Sequence, residues 1–184
     1  MKFRLVESLD SINELLTELQ KELDSFDYAF IGKDGNELDS EDAMDAVVQS
    51  PSSLTRLRKG VCTDYVEYSR EFLDKHNIPY SVYDVSFIDE DGDRPAHIFV
   101  VVKDVSNYIW VENAWHSEKG NHKYSSLESL FKDISNKHCV YDGKNYLSTC
   151  AIREIPKSLV GKSQRAIDMY IRRLPIIYTP KEDN

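Results

Sequence analysis

Three apolar stretches, residues 80–88, 96–103 and 108–115, follow one another with only short polar turns between them. The stretch in front of them, 62–77, has helical spacing. It puts Cys62, Val66, Ser69 and Leu73 on one face, flanked by Tyr65 and Phe72, and Asn77-Ile78-Pro79 stops it. Residues 80–88 alternate, with Val82, Asp84, Ser86 and Ile88 on one side and Tyr83, Val85 and Phe87 on the other. Residues 96–103 are more continuously apolar. Strands joined this tightly pair antiparallel. A meander behind one helix is an α+β arrangement.

The flanks add helices at both ends. Residues 11–26 carry Ile12, Leu15, Leu16, Leu19 and Leu23 as a stripe, with Ser11 and Glu14 as a capping box. Asp34-Gly35 marks a turn. Residues 40–49 read as a short helix with Ala43, Met44, Val47 and Val48 inward, ended by Pro51. Residues 116–124 read as a polar loop, 126–136 as a helix on Leu127, Leu130, Phe131 and Ile134, and 146–155 as a last strand. Residues 161–174 form an amphipathic helix with Ala166, Ile167, Tyr170, Ile171 and Leu174 inward, decorated by Lys162, Arg165, Arg172 and Arg173. The expected organisation is one domain over 1–155, with 156–184 a helical extension docked on it; the alternative for that helix is a partner-binding tail.

The net charge of −9 carries no basic face for nucleic acid and favours a soluble protein. No apolar run reaches the ~18 residues of a membrane span. Charge appears too early in residues 1–7 for a secretory signal, so a cytoplasmic protein is expected. The three cysteines, an odd count, argue against a disulfide framework; Cys139 and Cys150 read as packing residues. No cysteine pair has zinc spacing, and Asp89-Glu90-Asp91-Gly92-Asp93 fits a hairpin turn better than a calcium loop.

The chemistry lies in order and placement. Cys62 opens the helix, His97 lies 35 residues on in a strand, and Glu112 follows after 15 more in the next strand. A free thiol has a pKa of about 8.5, and a helix N-terminus or nearby cations lower it. Arg56, Arg58 and Lys59 precede Cys62 closely. An imidazole completes a thiolate–imidazolium pair, and a carboxylate on the far ring nitrogen orients it. The Cys62 N–H is one oxyanion donor, and no second donor is visible. Taken singly, Cys62 is a packing residue, His97 a structural histidine and Glu112 a surface charge. His116 is the rival to His97, His76 suits a helix C-terminus, and Trp110 and Trp115 read as core or cleft wall.

The run Arg58-Lys59-Gly60-Val61-Cys62-Thr63-Asp64-Tyr65, with its helix and the turn Asn77-Ile78-Pro79, resembles the nucleophile segment of bacterial transglutaminase-like proteins. Ala96-His97-Ile98-Phe99-Val100 resembles their histidine strand, and Ile109-Trp110-Val111-Glu112-Asn113-Ala114-Trp115 the strand that follows. The likeness covers residues 54–115. It implies a papain-like fold, a central Cys-bearing helix packed on an antiparallel sheet. By position Cys62 is the nucleophile, His97 the base and acid, and Glu112 the orienting carboxylate. Glu112 replaces the usual Asp, and Asn113 the usual Pro. Adjacent strand residues face opposite ways, so only one of Glu112 and Asn113 faces His97. The papain-type oxyanion Gln position is Arg56 here, which argues against a papain-type protease. The resemblance implies acyl transfer from a peptide or protein amide through a Cys thioester, with no metal or organic cofactor. The alternatives are an inactive binding module of the same fold and a structural protein with Cys62 in its core.

Overall fold

The computed structural model describes residues 9–181. Residues 1–7, read above for a leader, lie outside them. The N-terminal part runs α1 (Leu9–Leu23), β1 (Asp27–Tyr28), β2 (Phe30–Ile31), β3 (Glu37–Leu38), a 3₁₀ turn (Ser40–Asp45), α2 (Pro51–Leu57) and β4 (Lys59–Gly60). The centre is α3 (Cys62–Lys75), β5 (Tyr80–Ser86), β6 (Ala96–Lys103), β7 (Tyr108–Glu112) and β8 (Gly120–Tyr124). Then come α4 (Leu127–His138), the small hairpin β9 (Val140–Tyr141) and β10 (Lys144–Asn145), β11 (Ala151–Glu154), α5 (Gln164–Ile171) and β12 (Ile176–Tyr178). This is the expected α+β fold.

The main sheet has six strands in the order β12-β11-β5-β6-β7-β8, every pair antiparallel. Register sets the two faces. Val82, Ile98, Val100 and Val111 pack with Val66 and Leu73 of α3 and with Leu16 and Leu19 of α1. Tyr83, Val85, Phe99 and Trp110 pack with Leu130, Phe131 and Ile134 of α4. The meander therefore has helices on both faces, not one. The continuous apolar character of β6 is what a strand covered on both faces requires.

Several boundaries depart from the sequence reading. Ser11 sits inside α1, not at its cap. The 40–49 helix shrinks to a 3₁₀ turn with Met44 exposed, and Val48 is its buried neighbour. Pro51 does not merely end that segment. It opens α2, where a missing N–H costs nothing, with Ser50 accepting the Ser53 N–H. The polar loop 116–124 contains β8, an edge strand whose alternate exposure hides it from an apolar search. The expected strand 146–155 is a 3₁₀ turn and then β11. The C-terminal helix is shorter than expected, with Ile167 and Ile171 inward and Ala166 exposed.

Cys139 and Cys150 are a disulfide pair with Cα atoms 6.1 Å apart. This corrects the expectation of two separate packing cysteines. The β9–β10 hairpin folds the end of α4 back onto the start of β11, a closure that spacing alone does not reveal. Both residues are also buried in the core. Among the described residues no helix is long and apolar enough to cross a membrane.

Gly60 lies in close contact with α2 and α3. A Cβ there would lie 2.7 Å from Leu54 Cδ1 and 2.9 Å from Asp64 Cβ. Gly60→Ala is expected to destabilise by about 1–3 kcal/mol through overpacking, read as a lowered urea midpoint at unchanged slope. An unshifted midpoint would show that this junction yields freely.

Candidate active site

The N-terminus of α3 is held by a buried carboxylate. Asp64, at the third helical position, accepts the Val61 N–H at 2.8 Å and the Gln49 N–H at 2.7 Å. It ties the cap of α3 to the segment that precedes α2. Burial raises its pKa to about 6 despite those two donors. Cys62 is the first residue of the helix, half-buried, with its thiol unbonded to any other cysteine. The cations expected around it face elsewhere. Arg58 pairs with Glu22 at 3.1 Å, and Lys59 with Glu37 at 2.7 Å. What lies near the thiol is the helix terminus and two aromatic neighbours.

The first neighbour is His97. Its Nε2 lies 2.7 Å from Glu112 Oε2, and Cys62 is near enough to the ring to favour its charged form. With Nε2 committed to Glu112, Nδ1 is the nitrogen left for sulfur. Burial works against a charged ring, but the Glu112 carboxylate and Cys62 override it and push His97 up to about 10. The structure thus brings Cys62, His97 and Glu112 together in that order.

Glu112 is 1 % exposed, yet each carboxylate oxygen has two contacts. Oε2 faces His97 and accepts the Trp110 indole N–H at 3.1 Å. Oε1 accepts the backbone N–H groups of Ala114 and Trp115 at 2.8 and 2.7 Å. The extra methylene of Glu over Asp lets the carboxylate curl back onto its own loop. Burial would raise its pKa, but His97 and these donors hold it below the usual carboxylate range. Asn113 is buried beside α3 and lines a small cavity with Cys62 and Glu112, its Oδ1 without a partner, and makes no hydrogen bond to His97. Glu112 is therefore the one of the two that faces His97.

The surroundings are aromatic. Trp115 meets His97 edge-on at 5.7 Å, and His138 lies 6.3 Å away. Burial and the neighbouring His97 charge push His138 down to about 4, so it is a neutral wall. His116 is exposed in a 3₁₀ turn, and His76 meets Phe72 at a tilt with ring centres 4.6 Å apart; neither replaces His97.

The second neighbour of the thiol escaped the sequence reading. Tyr28 lines the same cleft as Cys62, whose charge, with burial, raises the pKa of its phenol. Register explains its position, since β1 runs parallel to β4 and sets Tyr28 across from Gly60. Nothing local in the sequence marks this, because β1 and β4 have only two residues each.

A cleft of about 610 Å³ opens on Cys62. Phe30, Met44, Ile98, Ile167 and Ile171 give it apolar walls. One end is closed by charge. Arg94 pairs with fully buried Asp84 and, at 3.0 Å, with Asp168 of α5; Arg172 holds the same Asp168 at 2.7 Å. Burial raises the Asp84 pKa to about 6 even beside Arg94. Gln164 of α5 donates to Thr63 Oγ1 at 2.8 Å, next to the thiol. The C-terminal helix therefore builds one wall of the cleft. Among the described residues no cluster of His, Cys, Asp and Glu has the form of a metal site.

A cysteine at the tip of a central helix, faced by a histidine and a buried carboxylate from adjacent strands of an antiparallel sheet, defines the papain-like class of folds. Residues 12–121, more than half of the chain, match the family described as a transglutaminase-like domain, and the chain belongs to it. No curated protein matches it.

The His97–Glu112 pair has a pH signature. His97, raised from about 6.5, contributes stability that is complete below that pH and is lost as pH rises through about 10. Glu112, depressed, contributes above the ordinary carboxylate range and loses its share as pH falls through its lowered value. NMR titration of the His97 ring should place its midpoint well above that of a free imidazole. Glu112→Gln should return it toward the ordinary value. A wild-type midpoint near 6.5 would refute the charged pair.

Proposed function

We propose that this protein is a cysteine enzyme that takes an acyl group from the amide of a peptide or protein. The observation that supports it best is His97 set between Glu112, at 2.7 Å, and Cys62, which lines the cleft. In this reading Cys62, as thiolate, attacks the amide carbonyl carbon and the carbon–sulfur bond forms. The tetrahedral intermediate collapses with cleavage of the C–N bond, and the proton on His97 goes to the departing nitrogen. Glu112 stays ionised and holds the ring in place. Water or an amine then attacks the thioester, His97 takes the proton of the incoming group, and the thiolate returns. Hydrolysis, deamidation and amine transfer share these steps and differ only in the acceptor. Each residue has a role without a metal or organic cofactor.

Intact-mass analysis after exposure to peptide esters and amides tests the covalent step. The expected result is one acyl adduct that disappears in Cys62→Ser. His97→Ala should slow its formation by about 10²–10⁴-fold. An adduct that persists in Cys62→Ser, or none with any acyl donor, would defeat the reading and leave a binding module of the same fold.

A further inference from the structure

Gln164 opens α5, and hydrogen bonds at both its backbone and its side chain hold it beside Cys62. Its backbone N–H donates to the Ala46 carbonyl at 2.9 Å, and the Val48 N–H donates to the Lys162 carbonyl at 2.9 Å. One residue further on, the Gln49 N–H goes to Asp64, the carboxylate that caps α3. The starts of α3 and α5 therefore share one frame. The side chain completes the tie. Its Nε2 donates at 2.8 Å to Oγ1 of Thr63, which is buried and follows Cys62 in the chain.

That bond uses one end of the amide and leaves the other. Gln164 is half-buried and lines the cleft with Cys62 and Thr63. Among the described residues its Oε1 has no hydrogen-bond partner, and it is not one of the buried unpaired atoms, so it stays open. The charged groups of the cleft are engaged elsewhere. Asp84, Arg94, Asp168 and Arg172 answer one another, and Asp89 accepts the Asp91 and Asp93 N–H groups of its own turn. Gln164 thus offers a neutral carbonyl, already oriented, next to the thiol.

A carbonyl oxygen repels a developing oxyanion, so it does not serve the carbonyl under attack. It accepts an N–H. A main-chain amide brings two of these. The nitrogen of the scissile bond takes the proton of His97 and must face that ring on β6. The other N–H belongs to the acyl residue and sits one carbon from the reacting carbonyl. Building on the acyl-transfer reading, we propose that Gln164 Oε1 accepts this second N–H, so that the site takes main-chain acyl donors. A side-chain carboxamide carries a methylene at that position and cannot make the bond. The Thr63 contact fixes the acceptor before substrate arrives, so little side-chain freedom is lost on binding.

The test uses two small acyl donors on the full chain, the 4-nitrophenyl esters of acetylglycine and of acetoxyacetic acid. They differ at one atom, with N–H in the first and oxygen in the second. In both, the Cys62 thiolate displaces 4-nitrophenolate. Each rate constant is divided by that ester's rate with free cysteine, which removes the difference in intrinsic reactivity. The wild type should then favour the acetylglycine ester by about 10-fold. Gln164→Leu should bring the ratio to about one. Gln164→Glu keeps an acceptor oxygen and should keep most of the preference, whatever its charge does to both rates. Circular dichroism checks that each variant folds, and if Gln164→Leu does not, the wild type and Gln164→Glu still decide. A wild-type ratio of about one overturns the proposal. So does an equal fall for both esters in Gln164→Leu, which would make Gln164 a support for Thr63 alone, or loss of the preference in folded Gln164→Glu. Failure of the wild type to acylate with either ester sinks the acyl-transfer reading along with it, a result distinct from acylation without preference.

Discussion

A carboxylate at 1 % exposure stands only if its charge is answered, and Glu112 is answered at each oxygen. Two backbone N–H groups, one indole N–H and one imidazole surround it. Removing any one leaves an ion in a poor solvent, so the whole set is coupled. That coupling fixes the end of β7, the path of the loop through Trp115, and the ring plane of His97. The site geometry follows from satisfying one buried charge.

The same logic recurs at two more places, and together they set the frame. Asp64 draws the cap of α3 to Gln49, which fixes where the first turn of the helix begins and hence where Cys62 stands. Asp84 draws Arg94 inward from the acidic turn, and Arg94 reaches on to Asp168 of α5. One buried carboxylate sets Cys62, one sets the imidazole, and one fastens the cleft wall. Packing alone would leave each of these elements free to shift by a fraction of an ångström, because apolar contact is not directional. Hydrogen bonds to charged oxygen are directional and short.

Legibility followed the range of the interaction. Helix α3 and strands β5 to β7 were readable because their periodicity is local and their turns are short. His97 and Glu112 could be paired from the brevity of the turn between β6 and β7, and only the choice between Glu112 and Asn113 needed coordinates. Elements that owe their existence to distant partners were not readable. Polar β8 is a strand because β7 offers it an edge, and β12 because β11 does. The Cys139–Cys150 bridge depends on a hairpin that carries no strong signal. Tyr28 reaches the cleft through a two-residue parallel pairing across more than thirty positions of chain.

The boundary of the family match bears on what the fold can recognise. It ends at residue 121 and so takes in Cys62, His97 and Glu112, together with Tyr28. It leaves out α4, β11, α5 and β12. Yet α5 lines the cleft through Gln164, Ile167, Asp168 and Ile171. The Cys62–His97–Glu112 group thus lies inside the matched region, while part of the cleft wall lies outside it. Changes in α5 can alter the cleft without touching the buried carboxylate that orients His97, since Asp168 binds Arg94 and Arg172 and has no hydrogen bond to Glu112. This arrangement separates the chemistry of the site from its shape. For that reason the matched region holds Cys62, His97 and Glu112, while one wall of the cleft belongs to a helix beyond it.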